Sequence, residues 1–258
     1  MSDTKPDGPK LPTPAAVDAK SPFDPAEEVY KALFGPGSPK SRHFDVERIA
    51  YLLAAVSSAQ FFLEHFRMAP NLRSTGGLLK HAAKCCSIEG LNLEFGVNSG
   101  TTIRILSEAM KVGDQMPPFH GFDSFEGLPE DWTHFQKAGR FGRQGKLPPV
   151  PDTVTLHVGW FNEILPGFLQ QHAGPARFIH IDSDLYSSAK TVLTLLADRI
   201  VPGTVIVFDE YFNYPGWEQH EHKAWTEFVA SHGVEFEYVG WASAICSVAV
   251  KVTKIWRP

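Results

Sequence analysis

Two apolar runs in this chain end in carboxylates. Phe178-Ile179-His180-Ile181 leads into Asp182-Ser183-Asp184-Leu185-Tyr186, and Val205-Ile206-Val207-Phe208 leads into Asp209-Glu210-Tyr211. Short runs rich in β-branched residues have the composition of buried parallel strands. In an open α/β sheet, ligands sit outside the carboxyl ends of the strands. If the two strands are neighbours, Asp182, Asp184, Asp209 and Glu210 meet at one rim. Such a group repels itself unless a cation or a raised pKa relieves it. Carboxylate oxygens in that number are the donors that a hard divalent cation takes.

A second set of residues suits a nucleoside. Glu94-Phe95-Gly96-Val97-Asn98-Ser99-Gly100 follows the apolar start of a strand and precedes a helical pattern. Glycine there permits a tight turn and close backbone approach to a ligand. The spacing is G-x-x-x-G and not the G-x-G-x-x-G of a dinucleotide site, which weighs against pyrophosphate cradling. Asp123 closes the next strand, 29 positions after Glu94. An acid in that place can accept hydrogen bonds from two ribose hydroxyls. Glycine loop and acid together favour an adenosyl ligand, where either alone reads as a turn glycine or a loop aspartate.

The elements that would carry these residues alternate along the chain. Strands are expected at Leu91–Phe95, Phe119–Asp123, Thr153–Val158, Arg177–Ile181 and Thr204–Phe208, with helices at 101–111, 162–171, after Ser187 or Ser188 as a cap, and at 222–231. A loop rich in glycine, proline and aromatics spans 124–151. The end reads as a hairpin, 236–239 and 244–252 about Gly240-Trp241. Five strand–helix units argue for a doubly wound parallel sheet, and the hairpin sets it apart from a simple dinucleotide fold. Ahead of the sheet, 44–66 is helical, with Ile49, Leu52, Leu53, Val56, Leu63 and Phe66 on one face, and 78–86 is a second helix. The two form a prelude that packs, pairs with a second copy or covers a pocket. Residues 1–25 read as a disordered tail, 26–88 as a helical extension and 89–258 as the main domain.

Composition narrows the function. The chain has 258 residues, 43% of them apolar, and a net charge of −5 with histidines neutral, enough for one large core. No dense Lys/Arg stretch marks a nucleic-acid surface. Three cysteines, two of them adjacent, do not suggest a secreted disulfide framework, and a cytoplasmic location fits. No apolar run is read as membrane-spanning and the start has no hydrophobic signal region. His180 and His157 lie within strands and read as core. His220 and His222, flanking Glu221, are alternative bases or ligands at what otherwise reads as a solvated helix start.

The motifs stand in the order of a known family. Glu94 to Gly100, Gly121-Phe122-Asp123-Ser124-Phe125-Glu126-Gly127-Leu128-Pro129, Gly159-Trp160-Phe161 before Leu165-Pro166, Ile181 to Tyr186, and Asp209-Glu210-Tyr211 together resemble the macrocin O-methyltransferase family, over about Leu91 to Val229. This family includes sugar O-methyltransferases of natural-product pathways. The resemblance implies a class I, Rossmann-like fold with a seven-stranded sheet and an antiparallel last pair. It implies S-adenosylmethionine (SAM) held by Glu94, Gly96, Asn98, Ser99, Asp123, Ser124, Gly159, Trp160 and Asp182. It further implies Mg²⁺ held by Asp182, Asp209 and Glu210, and Asp184 as general base. Where the family usually has Asp-Asp, this chain has Asp209-Glu210. The expected activity is Mg²⁺-assisted O-methylation of a hydroxylated small molecule by a homodimer. The competing readings are a metal-independent N- or carboxyl-methyltransferase, a metal-dependent hydrolase, and a non-catalytic SAM-binding partner protein.

Overall fold

The computed structural model describes residues 45–133, 135–243 and 245–256. The expected tail at 1–25 lies outside them. Contacts divide the chain at 49/50, and each side is described by itself. Before the division the described residues are 45–49, the start of helix α1 (Val46–His65). After it lies the sheet and everything packed on it.

Seven strands form one sheet: β1 (Leu91–Phe95), β2 (Phe119–Asp123), β3 (Val154–Val158), β4 (Ala176–Ile181), β5 (Val205–Phe208), β6 (Val234–Trp241) and β7 (Val248–Ile255). Their order is β3-β2-β1-β4-β5-β7-β6. The first five run parallel, while β7 pairs antiparallel with both β5 and β6. This is the doubly wound, seven-stranded sheet with an antiparallel last pair expected from the sequence.

Apolar residues of the central strands alternate between two cores, as the pleat requires. On one face Phe95, Phe122, Ile181, Ile206 and Phe208 pack against α4 (Phe161–Gln171), α5 (Tyr186–Leu195) and α6 (Glu221–His232). On the other, Phe119, Phe178, Val205 and Val207 pack against α2 (Thr75–Cys85) and α3 (Thr101–Ala109). β1, β4 and β5 lie side by side, with Phe95 opposite Ile181 and Ile181 opposite Phe208. The chain segments leaving these strands therefore emerge at one rim.

Four local expectations change. The hairpin strands are longer, so Gly240 and Trp241 lie in β6 and not in the turn. The Trp241 backbone is bonded to Pro70 and Leu72, which extends the strand. Leu185, not Ser187 or Ser188, caps α5; Ser187 sits inside the helix and bonds the Glu130 carboxylate at 2.5 Å. In α1, Leu52, Leu53, Val56 and Leu63 are exposed. The face that packs carries Ala54, Ser58, Phe61, Phe62 and, just past the helix, Phe66. Ser58 accepts a hydrogen bond from the Asn213 N–H at 2.8 Å, and Ser57 one from the Trp217 indole at 3.0 Å. Small polar residues face the domain because backbone and indole donors there need acceptors. Finally, α1 is long and apolar enough by length and composition to cross a membrane, contrary to the sequence reading. One such helix says little, and the serine bonds just described belong to a helix lying on a domain.

Candidate active site

The site begins at the end of β1. Gly96 has φ +92°, and a Cβ there would overlap the Asp182 carbonyl, so glycine is required for the two strand ends to approach. Asp123 fastens the loop that follows. Its Oδ2 accepts from the N–H groups of Val97 at 2.9 Å and Asn98 at 2.8 Å. Its Oδ1 accepts from the Phe125 N–H at 2.7 Å. Its carbonyl takes the Gly159 N–H at 3.0 Å. One aspartate thus joins the glycine loop, the start of the 124–151 loop and the end of β3. Beside them opens a cavity of about 600 Å³, whose wall includes Gly96, Asn98, Asp123, Ser124 and Trp160.

The same cavity reaches the acidic rim at Asp182, Ser183 and Asp184. Asp182 leaves β4 with its N–H on the Phe95 carbonyl at 2.9 Å, and Asp209 leaves β5 with its N–H on the Ile181 carbonyl at 3.0 Å. Asp184 has φ +62°, so the extended geometry does not continue past β4. Even so, carboxylate oxygens of Asp182, Asp184 and Glu210 lie within 4.8 Å of one another. Burial, then the neighbouring Asp209, hold the Asp182 carboxyl well above the usual range. Glu210 is raised by burial and by Asp209, Asp182 and Asp184. Burial pushes Asp184 up to about 6, against a hydrogen bond shared with Glu210 that lowers it. Glu210 Oε2 is buried with no hydrogen-bond partner. An orphaned buried oxygen among mutually repelling carboxylates fits a hard divalent cation.

Residues 93–211 match the family described as a methyltransferase domain. Over that stretch, just under half of the chain, the sequence is similar to a methyltransferase domain. A curated relative is the 8-demethyl-8-(2,3-dimethoxy-alpha-L-rhamnosyl)-tetracenomycin-C 4'-O-methyltransferase of Streptomyces olivaceus. It is 29% identical over 143 residues, 48% of this chain and 54% of the relative, so the chain spans about half the length of the curated relative it matches. Among solved structures, the O-methyltransferase NovP superposes with a TM-score of 0.54 at 19% identity, covering 81% of this chain and 100% of that one. The calicheamicin methyltransferase CalS11 gives 0.52 at 19% identity, covering 95% and 98%. At these identities the likeness shows the fold. The resemblance read from the motifs stands for the domain and for its natural-product relatives.

Within the site, the expected cofactor residues divide. Gly96, Asn98, Asp123, Ser124, Trp160 and Asp182 share one cavity wall. Glu94 is fully buried instead. Its Oε1 accepts from Thr102 Oγ1 at 3.1 Å and its Oε2 faces His180 Nδ1 at 3.1 Å. Burial opposes a charge on either partner. The Glu94 carboxylate nonetheless brings His180 up to about 9, while burial raises Glu94. We favour the ionised pair, because two donors serve the carboxylate. Ser99 is exposed and bonds Thr101. Gly159, next to Trp160, is held by the Asp123 carbonyl.

The expected metal set also divides. Asp182 and Glu210 come together, but the third member of the group is Asp184. Asp209 stands beside it with Oδ1 accepting from Ser247 Oγ at 2.7 Å and Thr75 Oγ1 at 3.4 Å. Asp184, expected as the base, therefore lies among the metal candidates. His222 packs among Phe61, Tyr211 and Trp217 and burial pushes it down to about 4. His220 sits against Trp132 and Tyr214. The sequence reading missed Glu221, which is fully buried with both oxygens on backbone N–H groups of the acidic loops. The available signal was an acid at a helix start just after Asp209-Glu210, overlooked in favour of its histidine neighbours.

Proposed function

We propose that this domain transfers the methyl group of SAM to a hydroxyl of a small, sugar-like natural product, assisted by Mg²⁺. The observation that carries the reading is the single cavity joining Asp123 and the glycine loop to Asp182 and Asp184. Asp123 and Gly96 suit the ribose and methionine parts of SAM, and Trp160 suits the adenine ring. The far wall carries Glu130, Ser187, Ser188 and Thr191, hydrogen-bonding groups matched to a polyol. The curated relative acts on the 4'-oxygen of a sugar, which supports the same acceptor class here.

Asp182, Asp184 and Glu210 would hold the cation. When bound, Mg²⁺ lowers the pKa of a hydroxyl beside it. Asp184 lines the cavity beside the acceptor and would take the hydroxyl proton. The freed oxygen would take the sulfonium methyl in line as the methyl C–S bond breaks and S-adenosylhomocysteine leaves, and the walls of the cavity would supply orientation. The test is to incubate the protein with SAM and a panel of sugars, catechols and amines, with and without EDTA. Transfer to hydroxyl acceptors that chelation abolishes is the expected result. Transfer to amines alone overturns the acceptor class, and full activity after exhaustive chelation overturns the role of the metal.

A further inference from the structure

Glu221 opens helix α6 and is 0% exposed. Its Oε1 accepts from the Ser183 N–H at 3.4 Å and its Oε2 from the Glu210 N–H at 3.1 Å. Ser183 lies between Asp182 and Asp184, so the two donors belong to the two acidic loops that leave β4 and β5. The carboxylate spans them as a clasp. Its placement is electrostatically unusual, because it adds a buried acid beside Asp182, Asp184, Asp209 and Glu210. Packing alone would be served by an apolar or amide side chain at lower cost. The first turn of α6 offsets part of that cost, since a helix N-terminus favours a negative charge. A bidentate acceptor held from a rigid helix is what two loop N–H groups need in order to keep a fixed separation.

We infer that Glu221 is a positioning residue that fixes the two acidic loops so that Asp182, Asp184 and Glu210 can share one divalent cation; the inference rests on the cation reading above. Glu221 does not itself line the cavity and acts through Ser183 and Glu210. Gln at 221 retains one acceptor and turns an NH₂ toward the other donor. Asp at 221 retains the charge but is one methylene short of spanning both.

The experiment compares the full chain with Glu221→Gln and Glu221→Asp. Mn²⁺ binding is followed by the loss of the free-ion EPR signal, and S-adenosylhomocysteine binding by calorimetry. The wild type should bind one Mn²⁺, and both variants should bind it at least tenfold more weakly. S-adenosylhomocysteine affinity should stay within about twofold, because the Asp123 end of the cavity is untouched. A purely structural role would lower the fraction of competent protein without changing Mn²⁺ affinity in what remains. Variants that bind both ligands like the wild type overturn the positioning role and leave the cation reading intact. A wild type that binds no Mn²⁺ overturns the cation reading and this inference with it. If neither variant binds S-adenosylhomocysteine, Glu221 serves general stability and the inference fails.

Discussion

Replacing Asp123 with Ala tests the cofactor end of the site most directly. The carboxylate takes three backbone N–H groups at 2.7–2.9 Å. Val97 and Phe125 are buried, whereas Asn98 is exposed, so water replaces the bond most readily at Asn98. A hydrogen bond to a charged acceptor contributes about 1.5–3 kcal/mol. The two bonds lost at Val97 and Phe125 thus cost about 3 kcal/mol at the low end of that range. For a chain of this size that lowers Tm by roughly 6–12 °C. Loss of the ribose partner and loosening of the glycine loop act on the ligand as well. S-adenosylhomocysteine affinity should fall about 10–100-fold, or about 1.4–2.7 kcal/mol, read by calorimetry below the melting range of the variant. A folded variant with unchanged affinity would refute Asp123 as ribose anchor. A lowered Tm with unchanged affinity would leave it as a fastener of loops alone.

Asp184→Asn should reduce turnover by about 10²–10⁴-fold with S-adenosylhomocysteine affinity unchanged; retained turnover at saturating SAM and Mg²⁺ removes it as base. Gly96→Ala forces a side chain into the Asp182 carbonyl at φ +92° and should cost at least about 2 kcal/mol, measured by urea unfolding; a wild-type midpoint would show that the strand ends can move apart. A pH effect follows from His120, His157 and His172 at the β2–β3 edge, where His120 Nδ1 and His157 Nε2 are 3.2 Å apart. Burial, then the two histidine neighbours, push His120 down to about 4, and burial lowers His157. A depressed histidine contributes stability above its unfolded pKa of about 6.5, lost as pH falls toward 4. Discounted for partial exposure, that loss is about 1–2 kcal/mol. Tm measured from pH 7.5 to 4.5 should fall less steeply in His120→Asn, and parallel curves would exclude the cluster.

The strands were legible because their apolar runs stop at chemically distinct residues. β4 and β5 end at Asp182 and Asp209, β2 at Asp123, and the sheet places all three at one rim. What the sequence hid depends on geometry that periodicity does not carry. The left-handed backbone of Asp184 changes which carboxylates meet, and no local residue type signals it. Glu221 acts through backbone N–H groups 38 and 11 positions away, a pairing that only the packed loops create. On α1, counting large apolar residues selected Leu52, Leu53, Val56 and Leu63, which are exposed. The packed stripe is chosen by Ala54, whose size permits approach, and by serines that satisfy donors on 213 and 217. In each case a tertiary requirement outweighed a local pattern.

The acidic rim also sets a bound on its own protonation. Carboxylates at most 4.8 Å apart repel by about 3.5 kcal/mol per pair at an effective dielectric of about 20. Three ionised members would carry about 10 kcal/mol, comparable with the whole stability of a domain. Two features of the fold answer part of this charge. His180 is raised to about 9, against burial, by Glu94 first and then by Asp182 and Asp209, so it sets positive charge against part of the cluster. The N-terminal turn of α2 reaches Asp209 through Thr75, so a helix dipole faces that carboxylate. His180 acts on Asp182 and Asp209 and α2 on Asp209, and neither supplies a donor to the buried Glu210 Oε2. The repulsion among Asp182, Asp184 and Glu210 is therefore relieved by protons on the carboxyls or by a cation between them. That choice connects the raised pKa values to function: the strain that holds protons at an empty rim is the strain that binds a divalent ion when one is offered.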